Sequence, residues 1–217
     1  MSKAKKIAII DYGLGNLFSV LQACKELGAD AEITSDLNKI KNSDGMILPG
    51  VGAFGQAMQN LEALGITNVL KDEVANGKSL FGVCLGLQLL FTESEEFGRS
   101  EGLNLIPGKV KKFPSETIDH NRLRVPQIAW NKIYACTSEM WQSSPLKSLP
   151  DGEFMYFVHS YYVQPEDKKC ALTKTTYGGY DYYSSVQKDN IFAVQFHPEK
   201  SGPKGLEIYN NWLSSLK

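Results

Sequence analysis

The stretch FGVCLGLQLLF, residues 81–91, places one cysteine between glycines and large apolar residues. The residues before Cys84 have the composition of a short buried strand, and those after it have the composition of a helix. Cys84 would then lie on the sharp turn between them, where Gly82 and Gly86 lack the Cβ atoms that would crowd it. The pattern indicates a nucleophile elbow in an α/β fold, although a free cysteine also often serves as a small buried hydrophobic residue.

Short apolar strands and amphipathic helical patterns alternate through the first half of the chain. The strands are predicted at residues 6–10, 31–34, 45–48 and 79–83, and the helices between Leu14 and Gly28, at 53–64 and at 66–76. This alternation predicts a central, mostly parallel sheet flanked by helices on both faces. Ligands of such sheets bind beyond the carboxyl ends of the strands, so the loops DYGLGN, PGVGAFG and VCLGLQ should meet at one edge.

Beyond about Gly98 the sequence changes to short strands separated by turns, which predicts a mixed or antiparallel extension of the same sheet. Residues 203–216 carry apolar side chains at helical spacing and predict a closing helix on the core. The chain has 217 residues, of which 42% are hydrophobic and 22% charged. We therefore expect a single domain spanning residues 1–217.

Composition and charge exclude several classes of function. The formal net charge is −1, so no overall field favours nucleic acid or an anionic membrane. The N-terminus does not resemble a secretion signal, and no apolar run approaches the roughly 20 residues needed to cross a bilayer. The four cysteines are widely spaced, which favours reduced thiols in a cytoplasmic protein and indicates neither a disulfide framework nor a zinc site. We expect no metal and no cofactor.

The histidines supply a candidate base for a cysteine nucleophile, which needs one to hold the thiol ionised and to protonate the leaving group. His197, in QFHPEKS, follows a strand predicted at residues 191–196, and Glu199 can turn back to accept a hydrogen bond from the imidazole. His120 lies in a polar run and is predicted to be a solvated loop residue. His159 lies in a strand pattern, which favours a structural or pocket-lining role over a catalytic one.

GVCLGLQLLF and QFHPEKS together resemble the class I glutamine amidotransferases. Members of this family hydrolyse glutamine through a cysteinyl thioester, and the resemblance implies a flavodoxin-like α/β glutaminase domain. It also implies that Cys84 is the nucleophile, His197 the acid and base, and Glu199 the carboxylate that orients it. The remaining implied positions are Gly52 and Leu85 as oxyanion N–H donors, Gln88, Glu96 and the main chain of Ser160 and Tyr161 as ligands of L-glutamine, and Asn16, Trp130, Asn131, Tyr156 and Lys200 as the partner interface.

Further segments resemble the members of this family that serve histidine biosynthesis: IDYGLGNLFSV, LPGVGAF, SEEFG, IPGKV, YFVHSYY and QFHPEKSGPKGL. This closer resemblance implies a heterodimer with a (β/α)₈-barrel synthase (cyclase) subunit that receives the ammonia. Those members usually read V-P-H-M-G-W-N where this chain has VPQIAWN, residues 125–131. We expect the replaced residues, Gln127 and Ala129, to lie near the partner, which leaves open a paralogue that feeds amidino-sugar synthesis for surface polysaccharides.

Two further alternatives remain at this stage. A stand-alone cysteine hydrolase would use the same triad, because a triad alone does not name the acyl group. A non-enzymatic scaffold for a synthase partner would retain the fold and lose the chemistry. The presence of Cys84, His197 and Glu199 together argues against the scaffold.

Overall fold

Apolar strands and amphipathic helices alternate in the first half of the computed structural model, which describes residues 4–216. The strands are β1 (Lys6–Ile10), β2 (Asp30–Thr34), β3 (Gly45–Gly50) and β4 (Ser79–Cys84). The helices are α1 (Leu17–Glu26), α2 (Leu37–Lys41), α3 (Phe54–Ala63), α4 (Ile66–Ala75) and α5 (Leu85–Leu89). The strands and helices predicted for this half are present, with small differences at their ends.

Short strands make up most of the second half. They are β5 (Phe91–Ser94), β6 (Ser100–Glu101), β7 (Ile106–Lys112), β8 (Gln127–Ala135), β9 (Glu153–His159), β10 (Tyr161–Pro165), β11 (Ala171–Tyr177), β12 (Tyr180–Lys188) and β13 (Ile191–Val194). The helices are α6 (Ser138–Gln142) and α7 (Gly202–Ser215), with 3₁₀ turns at Lys168–Cys170 and Pro198–Lys200. α7 is the predicted closing helix. Within residues 4–216, no helix combines the length and apolar character needed to span a membrane.

One sheet contains strands from both halves of the chain. Its central strands run in the order β2-β1-β3-β4-β13, and each neighbouring pair among them is parallel. Beyond β13 the strands β12, β10, β11 and the β8–β9 hairpin are joined by antiparallel pairing, and β5 pairs with β7 in parallel. This topology confirms the predicted parallel sheet with a mixed extension.

Two apolar layers cover the two faces of the parallel strands. Ile47 and Phe81 face the layer that contains α1 and α7, where the Phe81 ring lies 5.5 Å from the Trp212 ring. Met46 and Leu80 face the opposite layer, which contains α3 and α4. Because both faces are covered, every residue of β3 is buried, which explains why this strand reads as a continuous apolar run.

Four short elements, α2, α6, β5 and β6, are not predicted from the sequence. Each has at most five residues, too few for hydrophobic periodicity to identify. α2 depends on its cap: the Asp36 side chain accepts hydrogen bonds from the N–H groups of Asn38 and Lys39. Short elements of this kind are therefore fixed by local capping and by neighbouring strands.

The strand predicted at residues 191–196 ends earlier, at Val194. Its parallel partner β4 ends at Cys84, so no strand continues beside it on that side. The His197 N–H donates instead to the Tyr156 carbonyl oxygen at 2.9 Å. The chain therefore leaves the parallel sheet before His197 and is held by β9.

Gly86 lies where α5 meets β3, and a Cβ atom there would overlap the main-chain carbonyl group of Leu48. We expect Gly86→Ala to lower the free energy of unfolding by about 3 kcal/mol, because backbone atoms must move to relieve the overlap. Gly55→Ala is the matched control, since its Cβ would meet only the Ser100 side chain. Urea unfolding compares the two variants, and equal stability would contradict the close approach of α5 and β3.

Candidate active site

The turn predicted at Cys84 joins β4 directly to α5. Cys84 has φ 54° and ψ −108°, a backbone conformation that residues with side chains rarely adopt. A Cβ atom on Gly82 would lie 3.1 Å from the Gly86 carbonyl group, so glycine at this position permits the chain to fold back tightly. Backbone strain of this kind is characteristic of functional sites, and here it places the cysteine at the start of a helix.

The Cys84 side chain is enclosed, with 6% of the residue exposed. The Val158 carbonyl oxygen lies 3.8 Å from the sulfur, and the Gln195 Nε2 atom lies 3.7 Å from it. Gln195 is not among the residues predicted for the site. It lies two positions before His197, and this spacing in an extended segment puts two side chains on the same face, which is the signal that could have identified it.

His197 and Glu199 form a buried pair near the turn that carries Cys84. The His197 Nδ1 and Glu199 Oε1 atoms are 2.8 Å apart, and both side chains are almost inaccessible to solvent. Burial alone would lower the pKa of His197, but the negative charges of Cys84 and Glu199 outweigh it and raise the pKa to about 10. A thiolate at Cys84 and the Glu199 carboxylate therefore both favour the protonated form of the imidazole.

A cavity of about 260 Å³ opens beside Cys84. That volume suits a ligand the size of an amino acid, since drug-sized ligands fill roughly 300–1,000 Å³. The structure places every predicted oxyanion and substrate residue in its lining, which comprises Val51, Gly52, Cys84, Leu85, Gln88, Glu96, Pro126, Val158, His159, Ser160 and Tyr161. A larger groove of about 760 Å³ near Lys109 and Tyr180 has no cysteine or histidine in its lining and so offers no comparable nucleophile.

The polar atoms of the cavity wall are held by specific hydrogen bonds. Gln88 Nε2 donates to the Tyr161 carbonyl oxygen and to Gln195 Oε1, each at 3.0 Å. Both hydrogens of this amide are thereby used, which leaves Gln88 Oε1 as an acceptor. Glu96 Oε2 accepts from the Phe54 N–H at 2.6 Å, so its second oxygen remains for a ligand. The wall therefore offers acceptors suited to an ammonium group.

Gly52 and Leu85, the two predicted oxyanion residues, both line the cavity. Gly52 has φ 103°, a conformation that favours glycine, and a Cβ there would contact only the Leu14 side chain at 3.9 Å. Leu85 is the first residue of α5, where N–H groups lack intrahelical partners. The oxyanion role of both residues stays a prediction.

The sequence profile described as glutamine amidotransferase class-I matches residues 8–216. The chain belongs to this family. Among curated relatives, imidazole glycerol phosphate synthase subunit HisH of Chlorobium chlorochromatii is 46% identical, with 95% of this chain and 98% of the relative covered. The HisH subunit of Aquifex aeolicus is 43% identical and is covered to 95%, as is this chain.

Solved structures of low sequence identity share the glutamine amidotransferase fold. PurLQS from Thermotoga maritima matches with a TM-score of 0.74 at 16% identity, covering 99% of this chain and 100% of that one. The glutaminase domain of Trypanosoma brucei CTPS with bound acivicin matches with a TM-score of 0.65 at 20% identity, covering 97% and 92% of the two chains. These similarities support the α/β assignment made from the sequence.

His159 and His120 differ from His197 in this amidotransferase. His159 is buried, with Nδ1 2.8 Å from the Tyr161 carbonyl oxygen and Nε2 3.2 Å from the Tyr182 hydroxyl. Burial lowers the pKa of His159 to about 4, so the ring is neutral in the physiological range. This agrees with the predicted pocket-lining role. His120 is exposed in a loop, also as predicted.

The substituted segment at residues 125–131 requires one correction. Gln127 was expected near a partner, but it is fully buried, and its Oε1 accepts from the Tyr182 hydroxyl at 3.0 Å. The alternation of β8 turns Gln127 toward the core and Trp130 toward solvent. The replacement of histidine by Gln127 therefore changes the interior of the amidotransferase and not its surface.

Three of the five predicted interface residues, Trp130, Tyr156 and Lys200, lie together at one surface beside the active site, whereas the alternation of β8 puts Asn131 on the opposite face of that strand from Trp130. Trp130 is 52% exposed, and its ring lies 6.0 Å from that of Tyr156, directly opposite on β9. Lys200 Nζ lies 6.0 Å from the centre of the Tyr156 ring, and Asn131 donates to a main-chain carbonyl of β11. Asn16 precedes α1, which packs against the Pro198–Lys200 turn. We call Trp130, Tyr156 and Lys200 the aromatic patch.

The remaining thiols provide no metal or disulfide chemistry within the described chain. Cys24, Cys84, Cys136 and Cys170 are all free. Among residues 4–216, no group of three or more histidine, cysteine or acidic side chains is placed to hold a metal ion. Burial raises the pKa of Cys24 to about 12, so that thiol is inert at neutral pH.

Glu199→Gln should lower the pKa of His197 by about 1–3 units, because the variant loses a negative charge 2.8 Å from the ring. The imidazolium would then lose its proton at lower pH than in the unaltered protein. NMR titration of labelled histidine measures this shift directly. Glu207→Gln, which removes a surface partner of Lys204, is the control and should leave the titration unchanged. An unaltered His197 titration in Glu199→Gln would contradict the electrostatic coupling.

Proposed function

We propose that this chain is the glutaminase subunit of an imidazole glycerol phosphate synthase, which hydrolyses L-glutamine to glutamate and ammonia for histidine biosynthesis. The observation that carries the proposal is the buried Cys84, His197 and Glu199 arrangement beside a cavity of amino-acid size. The identity of 43–46% to HisH subunits over nearly the whole chain supports the pathway.

Substrate binding follows from the charges of the cavity wall. Gln88 Oε1 and the free oxygen of Glu96 are acceptors, so they would bind the α-ammonium group of glutamine. Main-chain groups of Ser160 and Tyr161, on the same wall, would bind the α-carboxylate. The side-chain carboxamide would then extend toward Cys84.

The first chemical step is attack of the Cys84 thiolate on the carboxamide carbon. A carbon–sulfur bond forms, and the carbonyl electrons move to oxygen, which the N–H groups of Gly52 and Leu85 would stabilise. The His197 imidazolium donates its proton to the leaving nitrogen as the carbon–nitrogen bond breaks. Ammonia departs, and a glutamyl thioester remains on Cys84.

The second step regenerates the thiolate. Neutral His197 removes a proton from water, which attacks the thioester carbon, and the carbon–sulfur bond breaks to release glutamate. Glu199 keeps Nδ1 protonated and stabilises the imidazolium in both steps. The balance is one glutamine and one water converted to one glutamate and one ammonia.

The ammonia would pass to a (β/α)₈-barrel synthase (cyclase) subunit in a heterodimer. The aromatic patch, with Asn16, is the proposed contact, because exposed aromatic side chains are enriched where proteins bind each other. Free thiols throughout the described chain are compatible with a cytoplasmic location. The burial of Gln127 takes one of the two replacements that had left the polysaccharide paralogue open away from the surface, and the replacement at Ala129 is unaffected by this observation.

The decisive experiment combines this protein with its co-encoded barrel subunit and measures glutamate release. Addition of the phosphorylated ribulosyl nucleotide should accelerate glutamine hydrolysis by about tenfold or more, a typical scale of coupling between sites. Activity indifferent to that nucleotide would reject the histidine-pathway synthase in favour of the paralogue. Full activity without the barrel subunit would indicate a stand-alone hydrolase.

Cys84→Ala should abolish glutamine-dependent synthesis in the complex while synthesis from added ammonium continues, because ammonia bypasses only the hydrolytic step. Cys136→Ala is the control, since that half-buried thiol does not line the cavity. Product formation is measured with glutamine and then with ammonium chloride. Loss of both activities in Cys84→Ala would contradict a purely hydrolytic role.

Trp130→Ala should weaken binding of the barrel subunit by about tenfold or more, because truncation of a central interface tryptophan commonly costs about 2 kcal/mol or more. Tyr180→Ala, an exposed aromatic residue beside the separate groove, should leave binding unchanged. Isothermal titration calorimetry compares the two variants with the unaltered chain. Equal affinities for all three would move the interface away from the aromatic patch.

A further inference from the structure

Gln195 is fully buried just beyond β13 and contacts two residues of the proposed site. Its Nε2 atom lies 3.7 Å from the Cys84 sulfur, and its Oε1 atom accepts from Gln88 Nε2 at 3.0 Å. A buried amide has two donor hydrogens and an acceptor oxygen that must find partners. Here the partners are Cys84, the proposed nucleophile, and Gln88, on the cavity wall where the substrate is proposed to bind.

The orientation of this amide follows from its neighbours. The Tyr161 carbonyl oxygen can only accept, so the Gln88 atom 3.0 Å from it must be the donor Nε2. That same Nε2 also faces Gln195, which must therefore present its oxygen there. The Gln195 nitrogen is consequently directed at Cys84. Exchanging the two terminal atoms of Gln195 would place two donors against each other and an oxygen against the sulfur.

Besides His197, the Cys84 sulfur contacts two polar groups, and these two favour opposite charge states of the sulfur. The Val158 carbonyl oxygen, 3.8 Å away, can only accept a hydrogen bond and so favours the thiol. The Gln195 amide nitrogen can only donate and so favours the thiolate. As the proton leaves sulfur, the contact with Gln195 strengthens because the acceptor becomes charged.

We propose that Gln195 is a further residue of the catalytic centre, whose amide nitrogen donates to the Cys84 thiolate while its oxygen fixes Gln88 on the substrate wall. This inference rests on the proposed glutaminase function. In it, Gln195 stabilises the Cys84 thiolate in addition to His197. The amide nitrogen contacts Cys84 and the amide oxygen contacts Gln88, so substitutions that remove one or both groups distinguish the two roles.

Gln195→Met and Gln195→Glu provide that separation. Methionine has similar length but neither donor nor acceptor for these contacts, so both are lost. Glutamate retains an oxygen for Gln88 Nε2 and replaces the donor to sulfur with a second oxygen. Gln187→Met is the matched control, because Gln187 lies at the far end of β12 and lines a different cavity.

The first measurement is the rate at which iodoacetamide alkylates Cys84 at pH 7, followed by mass spectrometry of the Cys84 peptide. Gln195→Met and Gln195→Glu should both react about tenfold more slowly, since a hydrogen bond to a charged group is lost. The second measurement is glutamine hydrolysis in the complex with the barrel subunit. Both variants should lose kcat, whereas KM should rise in Gln195→Met and stay near the original value in Gln195→Glu.

A merely structural role for Gln195 predicts a different result. It would lower the melting temperature without changing the alkylation rate, and that outcome would overturn the proposal. Should Gln195→Met lose its cooperative melting transition, Gln195→Glu, which retains size and one hydrogen bond, decides the question. Failure of the unaltered protein to hydrolyse glutamine with its partner would instead overturn the proposed function, and the two failures are therefore distinguishable.

Discussion

The close approach of α5 to β3 at Gly86 is the constraint on which the site depends. The missing side chain lets the helix begin against the Leu48 carbonyl, directly after Cys84. Cys84 must then adopt a positive φ, which costs about 1–3 kcal/mol and persists only because the packed sheet enforces it. Buried strands on either side of β4 supply that enforcement. The packed core thus fixes Cys84 beside the cavity, so the nucleophile does not have to be ordered when a substrate binds.

His159 and His197 lie close to the same cavity, and burial acts against the charged form of both rings. Their pKa values differ because only His197 has anionic neighbours. Burial disfavours the charged form of each, and at His159 no anion compensates, so the pKa falls to about 4. At His197 the Cys84 and Glu199 charges overcome burial, and the pKa rises to about 10. The neutral ring can hold the Tyr161 carbonyl in place at any physiological pH, while the charged ring can deliver a proton.

The sequence predicted the parallel half of the fold because its strands are continuous apolar runs and its helices have clear periodicity. Cys84 and the HPE segment could be predicted from local residue patterns, whereas the oxyanion and substrate residues that line the cavity were predicted from the family resemblance. Gln195 was missed because its partners, Cys84 and Gln88, are more than 100 residues away in the chain. Gln127 was misplaced for a related reason: the side to which a strand residue points depends on register with its neighbours, which one strand alone does not define.

Strand β9 connects the aromatic patch to the chemistry. The Tyr156 carbonyl oxygen accepts from the His197 N–H at 2.9 Å, and two residues later the Val158 carbonyl oxygen lies 3.8 Å from the Cys84 sulfur. The side chain of Tyr156 faces outward beside Trp130, where the barrel subunit is proposed to bind. Because a strand moves as a unit, a displacement of β9 on binding would change both contacts together. Strand β9 therefore connects the outer surface to the positions of the Cys84 thiol and the His197 imidazole. This connection is a physical route by which a bound synthase could set the rate of glutamine hydrolysis.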